Sequence, residues 1–506
     1  MKDAGTEMRL IGQFGGGFYS AFMVAKRVIV RSRSAMKDAK GQRWESDGSG
    51  SFTVTPAEGV ERGTMITVEL KDDNADFCKS DKIKDLIKRY SNFVPFPIFV
   101  NGERVNTVEA IWTKQKGEIK DEAYTEFYKF IANAYDEPSL RLHFTADAPI
   151  DIKALLFVPK SNFEKFGFGR QEPGVSLYCR NVLIDPKNRE ILPEWMRFVK
   201  GVIDSEDLPL NISRETMQDK SLMAKIRKII VKRFIKFLSE EAGKSEEKYQ
   251  EFFAEFGVFL KEGLSVDHEY REDIAKLLRL ESSKTENGKL TSLEEYIKRA
   301  PETQKEIYFI NGPSRETIEA GPYLEAFRAK DMEVLFTFEV MDDFVLGNLS
   351  EFLGKKIVSA ENAEIEMDQK EGEKLTSDQS DQLCKWIKEI LGETVSEVRV
   401  SKRLAENPAI VISKDSHFSN SVQRMMKNIH KDFPGMEGSY ILELNPAHEL
   451  IRNLSALKEA NPDLAKLIAQ QIYDNTRVLG GLTVEPRPMV ERMNRIMSAM
   501  AGSLQK

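Results

Sequence analysis

A glycine-rich turn near the start of the chain has the composition to bind an anion. Gly15, Gly16 and Gly17 follow one another, and Phe18 and Phe22 continue at helical spacing. Glycine lacks a Cβ, so its backbone N–H groups stay open to close approach. At the start of a helix these N–H groups and the helix dipole both favour negative charge. The pattern indicates either a phosphate site or a plain tight turn, and on shape alone the plain turn is the more common of the two.

An arginine near the middle of the chain could act on a phosphate from a distance. Arg214 lies in an acidic, proline-bearing run over 204–215 and opens a helical pattern. Its planar fork of donors and its permanent charge suit phosphate oxygens. A loop can deliver such a side chain as an arginine finger. An arginine that is simply solvated is the alternative interpretation.

Other chemical patterns are weak. The run Gly243-Lys244-Ser245 has the end of a P-loop, but Leu238 stands where that motif needs glycine. It follows a helix rather than a strand, so we interpret it as a helix end with a solvated lysine. The three cysteines are far apart and the five histidines are scattered. Neither pattern predicts a metal site or a disulfide framework.

Composition narrows the class of protein. The chain has 506 residues, a formal net charge of −7 and 41% hydrophobic residues. This length predicts about three domains with true cores. The acidic balance argues against a dedicated nucleic-acid binder. No run of 18 apolar residues occurs, so no membrane span is predicted.

Strands and helices alternate over the first two thirds of the chain. Strands are predicted at 28–30 and 65–70, a helix capped by Ser80, and a hairpin turn at Asn101-Gly102. A long amphipathic helix is predicted over 222–238, and an acidic, solvated helical face over 246–263. Strands at 306–310 and 333–338 bracket a helix, which indicates a second α/β unit. Residues 361–382 are polar and predict a linker.

The last part of the chain carries two apolar stripes at helical spacing. Packing within the domain and helix-bundle dimerisation both explain stripes of this kind. Soft apolar residues in a broken segment further upstream suit promiscuous binding, with ordinary core as the alternative. The first stripe comprises Leu464, Leu467, Ile468, Ile472 and Tyr473, the second Met489, Val490, Met493, Ile496, Met497 and Met500, and the broken segment Phe418, Met425, Met426 and Ile429.

Taken together, these strings resemble the heat shock protein 90 chaperone family over residues 10–506. The run 12–20 is similar to the family's phosphate loop, and 202–215 is similar to its middle-domain catalytic loop. The runs 20–25, 46–50 and 110–112 resemble the mitochondrial, tumour-necrosis-factor-receptor-associated branch. The C-terminus also lacks the acidic pentapeptide of cytosolic eukaryotic members.

The resemblance implies roles for particular residues. Gly15, Gly16, Gly17 and Phe18 would bind the phosphates of ATP, and Thr64 would line its adenine end. The catalytic residues would be Arg214, which reaches the γ-phosphate, and Gln218 on the same helical turn. Gly16 replaces the family's valine and should loosen the loop, which weakens phosphate binding.

The resemblance also implies an α/β (α+β) multidomain fold. A remnant of a Bergerat-type ATP-binding sheet is expected over 1–107, an α/β middle domain over 108–366 and a mostly helical dimerisation domain over 367–506. The family's general-base glutamate, magnesium-binding asparagine, adenine-binding aspartate and most of its lid would precede residue 10. We therefore expect an N-terminally truncated member, with doubtful ATP binding, no ATP hydrolysis of its own and an exposed, poorly stable first sheet.

The function that the resemblance implies is ATP-dependent protein folding by a homodimer that binds unfolded clients. ATP with Mg²⁺ is the implied cofactor, and no residue of this chain is assigned to the metal. Neither nucleic acid nor a membrane span is expected. The mitochondrial matrix is the implied location, with the cytoplasm as alternative. A dimeric, non-enzymatic protein that holds clients without ATP turnover is the competing function.

Overall fold

The computed structural model describes residues 16–167, 169–208, 220–367, 373–414, 440–482 and 484–503. They form a mixed α/β architecture with several sheets and many helices, which confirms the predicted fold class. The chain divides into two compact units, 1–237 and 238–506. The assignment of three domains stays a prediction.

The first unit opens with two short helices and a four-stranded antiparallel sheet in the order β3-β2-β1-β4. Asn101 and Gly102 both have positive φ between two short strands, so the predicted hairpin turn is confirmed. The helix predicted after Ser80 is also present, although Lys79 rather than Ser80 is its N-cap. The elements of this region are α1 (Gly16–Tyr19), α2 (Ala21–Val24), β1 (Ala25–Arg33), β2 (Gln42–Ser46), β3 (Thr53–Pro56), β4 (Gly63–Leu70), α3 (Ser80–Tyr90), β5 (Phe99–Val100) and β6 (Glu103–Arg104).

A five-stranded mixed sheet follows in the same unit, in the order β10-β9-β11-β8-β7. Its central strands are almost fully apolar and buried, as strands covered on both faces must be. Its elements are α4 (Asp121–Ala132), β7 (Leu140–Ala146), β8 (Ile152–Val158), β9 (Gly174–Cys179), β10 (Val182–Asp185) and β11 (Lys200–Asp204). Helix α5 (Lys220–Lys244) begins in this unit and ends in the second.

The second unit contains a sheet in the order β12-β14-β13-β16-β15, whose central strands are parallel. The strands predicted around 306–310 and 333–338 are its β13 and β14. Its elements are α6 (Glu246–Val266), α7 (Arg271–Ala275), β12 (Glu281–Ser282), α8 (Leu293–Arg299), β13 (Glu306–Asn311), α9 (Arg315–Ala320), α10 (Glu325–Ala329), β14 (Leu335–Thr337), α11 (Val340–Leu349), β15 (Glu351–Phe352) and β16 (Lys355–Ser359).

The same unit ends in a three-stranded sheet, ordered β17-β19-β18, with helices packed against it. The elements are α12 (Ser377–Leu391), β17 (Glu397–Val400), β18 (Ala409–Ser413), β19 (Tyr440–Leu444), α13 (Glu449–Ala460), α14 (Pro462–Leu479) and α15 (Pro486–Ser503). One apolar core joins α12, α13, α14 and this sheet.

Two sequence predictions about these elements were wrong. Helix α6 is not merely a solvated acidic face, because nine of its residues are buried. They are Tyr249, Phe252, Phe253, Phe256, Gly257, Phe259, Leu260, Gly263 and Leu264. The aromatic residues recur at spacings of three and four and form a stripe along the helix, with the glutamates between them in the sequence. The acidic composition obscured this stripe. The linker predicted over 361–382 is also too long, since α12 begins at Ser377 behind a Thr376 capping box.

Candidate functional site

The glycine turn leads into α1 and α2, which lie on one face of the first sheet. Phe18 packs edge-on against Trp44 of β2, with ring centroids 5.6 Å apart, and Phe22 approaches the same ring at 6.4 Å. Trp44 lies opposite Val30 of β1 in the sheet register. Because directly opposite residues point to the same side of a sheet, the turn lies on the face that carries Val30.

Thr64 belongs to that same face. It pairs with Ser32, two residues beyond Val30 on β1, and the two hydroxyl oxygens are 2.8 Å apart. Residues two apart on a strand share a face. The sheet thus brings Thr64 and the Phe18 segment, predicted to serve one ligand, to one side.

The described part of the turn fits a phosphate group. A Cβ built on Gly17 would have no atom within 4 Å, so a ligand oxygen can approach its backbone freely. Gly17 and Phe18 lie in the first helical turn, where N–H groups have no partner inside the helix. Ser20 donates a hydrogen bond from its hydroxyl to the Gly17 carbonyl at 2.7 Å, which stabilises the turn.

The face around the turn is largely open. Val54, Ile66 and Val68 on that side are 53%, 51% and 38% exposed, whereas Val28 in the centre is buried. The expectation that the first sheet exposes an apolar face is therefore confirmed. An exposed β4 edge of this kind is also a site for unwanted strand pairing.

The run that carries Arg214 leaves the second sheet at the end of β11. Residues 209–219 lie outside the described residues, and Arg214 and Gln218 with them. The run up to Leu208 is described and firmly held. Asp204 accepts hydrogen bonds at Oδ2 from the Trp112 indole at 3.1 Å and from the Asn181 amide at 2.9 Å.

Asp204 is 2% exposed, and burial raises the pKa of its carboxyl, while the hydrogen bond from Trp112 opposes that rise. Trp112 is itself fully buried between Phe93 and Tyr178, with centroid distances of 4.8 and 5.1 Å. The base of the arginine-bearing run is thus fixed to the core of the domain.

Contacts with charged residues fix the part of the run that follows Asp204. Lys153 Nζ contacts Glu206 at 2.9 Å and Asp151 at 3.6 Å. Asp207 Oδ2 accepts from the Asp151 amide at 2.7 Å. Burial acts to lower the pKa of Lys153, but the hydrogen bond to Glu206 and the charges of Asp151 and Glu206 raise it overall. The ammonium therefore stays charged and links the run to β8.

A buried histidine continues the network on the far side of Trp112. His143 Nε2 lies 3.1 Å from the Trp112 carbonyl, and its Nδ1 lies 2.8 Å from the Tyr124 hydroxyl. The carbonyl can only accept, so Nε2 carries the proton and Nδ1 accepts from Tyr124. Burial lowers the pKa of His143, and the charges of Lys116 and Arg141 lower it further. The imidazole is held neutral.

We expect the first unit to lose stability as the pH falls below 6.5, the ordinary pKa of histidine. The folded protein holds the pKa of His143 lower, so between the two values the unfolded chain binds more protons. This group then lowers the free energy of unfolding by up to about 1.4 kcal/mol per pH unit. Urea titrations at about pH 7.5 and about pH 5.5 measure the loss. The loss should shrink in His143→Gln, and an equal loss in both proteins would contradict the assignment.

The two apolar stripes near the end of the chain differ in how far they are buried. Ile472 and Tyr473 of the first stripe are buried in the core of their own unit, and Ile468 packs against it. In the second stripe, on α15, Met493 and Met497 are 41% and 52% exposed. Packing within the domain thus accounts for much of the first stripe, and an open apolar face remains on the second.

The predicted site residues therefore divide into two groups. Gly16, Gly17, Phe18 and Thr64 are described, and the last three lie on one sheet face. Gly15, Arg214, Gln218 and the segment of Phe418, Met425, Met426 and Ile429 lie outside the described residues. The supporting residues Asp204, His143 and Lys153 were not predicted as parts of the site. Trp112, a large side chain of a type that is usually buried, precedes a helix and could have indicated a packed core at this place.

The described residues lack two kinds of feature. They contain no cluster of three or more His, Cys, Asp or Glu side chains arranged to hold a metal ion. None of the described helices has the length and apolar character that crossing a bilayer requires.

Comparison with known proteins gives a consistent picture. Residues 99–506 match the family described as "Hsp90 protein". The chain is 51% identical to "Chaperone protein HtpG" of Desulfitobacterium hafniense, covering 97% of this chain and 80% of that protein. It is 42% identical to "TNF receptor-associated protein 1 homolog, mitochondrial" of Dictyostelium discoideum, covering 97% and 70%. It is 41% identical to "Heat shock protein 75 kDa, mitochondrial" of Rattus norvegicus, covering 98% and 72%.

Proposed function

Because this chain belongs to the heat shock protein 90 family, we propose that it is an ATP-dependent chaperone that binds unfolded or partly folded proteins as a homodimer. The observation that carries this proposal is 51% identity to a chaperone over 97% of the chain. An assay that follows aggregation of a heat-unfolded enzyme tests it. We expect the chain to suppress aggregation at stoichiometric amounts; failure to do so at several-fold excess would overturn the proposal.

ATP would bind with its phosphates at the glycine turn and its base towards Thr64. The backbone N–H groups of Gly17 and Phe18 would donate to phosphate oxygens, and Gly15 and Gly16 would add further room for the approach. A nucleotide held there would supply the γ-phosphate to be hydrolysed, and Mg²⁺ would neutralise its charge. Thr64 would orient the base through the hydroxyl that now faces Ser32.

Arg214 would supply the positive charge that the γ-phosphate needs as it departs, with Gln218 beside it. The geometry that supports this role is the held base of the run, from Asp204 to Leu208. A run fixed at its root delivers a side chain with little loss of conformational entropy.

We further propose that two copies pair through α15. None of the residues 486–502 is buried, and Val490, Met493, Met497 and Met500 expose apolar surface along the helix. Arg492 contacts Asp474 of α14 at 2.5 Å, so the helix is fixed to its own unit while that surface faces outward. Pairing about a two-fold axis would bury the surface in an isologous bundle.

The dimer can be tested with charged substitutions on α15. We expect Met493→Lys combined with Met497→Lys to yield monomers, because four ammonium groups would meet at the two-fold axis. Sedimentation at about micromolar concentration measures the state. The control variant Asn494→Lys with Ser498→Lys adds the same charge one residue further along the helix, and we expect it to stay dimeric. A charged residue at Ile472 is not suitable, since that side chain is 4% exposed and its loss would unfold the domain.

A dimer that holds clients without ATP turnover remains the second candidate. The open apolar face with Val54 and Ile66 favours it, because exposed apolar patches can bind unfolded chains directly. Adding ATP separates the two: the first candidate predicts that client release changes with ATP, and the second that it does not. For location, we propose the mitochondrial matrix from the relatives of Dictyostelium and rat, with the cytoplasm as the alternative.

A further inference from the structure

A lysine at the start of β11 lies beside the apolar core of the second sheet. Lys200 stands opposite Phe157 of β8 and opposite Gly174 of β9. Residues directly opposite on antiparallel strands share a face, and so do residues two apart on one strand. Phe157 and Val202 therefore share the face of Lys200, and both belong to one buried core. The Lys200 side chain thus begins at the edge of that core.

The missing side chain of Gly174 gives this lysine its place. A Cβ built on Gly174 would lie 2.6 Å from Lys200 Cδ and 2.7 Å from its Nζ. The lysine stem therefore lies across the backbone of β9, in the space that a side chain would fill. Lys200 is partly exposed, and its ammonium is not sealed from solvent. A dissolved small molecule can thus reach the nitrogen.

The Lys200 amine has no partner. None of the residues that the structure describes forms a hydrogen bond or an ion pair with its Nζ. The carboxylate whose charge acts on it, that of Glu164, is already bound: Arg197 contacts its two oxygens at 2.8 and 3.0 Å, and the Gln171 amide donates to one of them at 2.7 Å. Burial lowers the pKa of Lys200, the charge of Lys187 lowers it further, and the charge of Glu164 opposes the change only in part.

Positive charge exceeds negative charge beside this amine. The charge of Lys187 acts on Lys200, and Lys187 Nζ lies 3.6 Å from one carboxylate oxygen of Glu172. Arg189 contacts the other oxygen of the same carboxylate at 2.5 Å. Two cations thus share one anion, which leaves one positive charge in excess. Such an excess attracts anions and raises their local concentration.

We propose that the Lys200 amine is a covalent site for a small aldehyde that carries an anionic group, which it binds as a reversible imine. A desolvated lysine beside a second cation is a nucleophile of the kind that forms imines with carbonyl compounds. The lone pair of the neutral amine attacks the carbonyl carbon, and a C–N bond forms. The two amine protons pass to the carbonyl oxygen, which leaves as water while the C–N bond becomes C=N. The step needs no oxidant or reductant, and the site is independent of the one proposed for ATP.

The probe is para-formylbenzoate, and its methyl ester is the uncharged match. Cyanoborohydride reduces the imine to a stable amine, and peptide mass spectrometry of the full chain at neutral pH then gives the labelling rate of each lysine. We expect Lys200 to be labelled several-fold faster than the exposed Lys225, because more of its amine is neutral. The benzoate should label Lys200 about 10-fold faster than the ester, since a positive field speeds encounter with an anion.

Three variants make the test specific. Gly174→Ala should push the flexible lysine stem into solvent and slow the labelling of Lys200 to the rate of Lys225, while Gly117→Ala, which has open space around it, should change nothing. Lys187→Gln should remove the preference for the benzoate over the ester. The proposal is overturned if Lys200 is labelled no faster than Lys225, if Gly174→Ala leaves its rate unchanged, or if benzoate and ester label it equally.

Discussion

In a fusion that carries a relative's ATP-pocket segment ahead of Leu10, replacing Arg214 by alanine is expected to lower the rate of ATP hydrolysis by about 10³-fold or more, while nucleotide affinity changes by less than about threefold. An arginine that meets the γ-phosphate only in the transition state contributes to turnover and not to ground-state binding, and arginine fingers are worth about 10³–10⁵ in rate. Single-turnover hydrolysis and nucleotide titration measure the two quantities separately.

The hydrolysis assay has a defined control. Lys225→Ala removes an exposed cation from the following helix and should leave the rate within about twofold. Activity is measured in the chain itself and in a fusion that carries a relative's ATP-pocket segment ahead of Leu10. If the fusion hydrolyses ATP and Arg214→Ala leaves its rate unchanged, the role given to Arg214 is wrong.

Truncating Trp112 to alanine should destabilise the second sheet of the first unit by about 3–5 kcal/mol. The fully buried indole would leave a cavity between Phe93 and Tyr178, and large aromatic truncations in cores cost that much. The change also removes the N–H that Asp204 accepts, leaving a buried carboxylate short of a donor. Hydrogen exchange of the amides of β8 and β11 reports the local free energy of opening.

Two further variants separate packing from hydrogen bonding. Trp112→Phe keeps most of the ring contacts and loses the donor, so its cost should be about 1–3 kcal/mol. Trp44→Ala removes a half-buried indole from the first sheet and should leave β8 and β11 unchanged. A cost below about 1 kcal/mol for Trp112→Ala would show that Trp112 does not hold the arginine-bearing run.

Turns and strands that depend only on neighbouring residues could be predicted from the sequence. The Asn101-Gly102 turn followed from two residues that tolerate positive φ, and both have it. The strand at 306–310 followed from a short apolar run. The acidic composition of 246–263 misled, because its glutamates lie between the aromatic residues of the stripe that packs.

Features that depend on tertiary contacts could not be predicted in this way. The burial of Ile472 but not of Met493 depends on which helix covers the sheet, and both residues lie in similar apolar stripes. The hydrogen bond between Trp112 and Asp204 joins residues 92 positions apart.

The central claim, that the glycine turn binds the phosphates of ATP, is tested most directly by hydrogen exchange with and without Mg-ATP at about 10 mM, which allows for weak affinity. We predict slower exchange at 16–25 with ATP and not with adenosine, and loss of this protection in Gly17→Glu but not in Gly117→Glu, since both glycines have open space around them. Identical exchange at 16–25 with and without ATP would contradict the account.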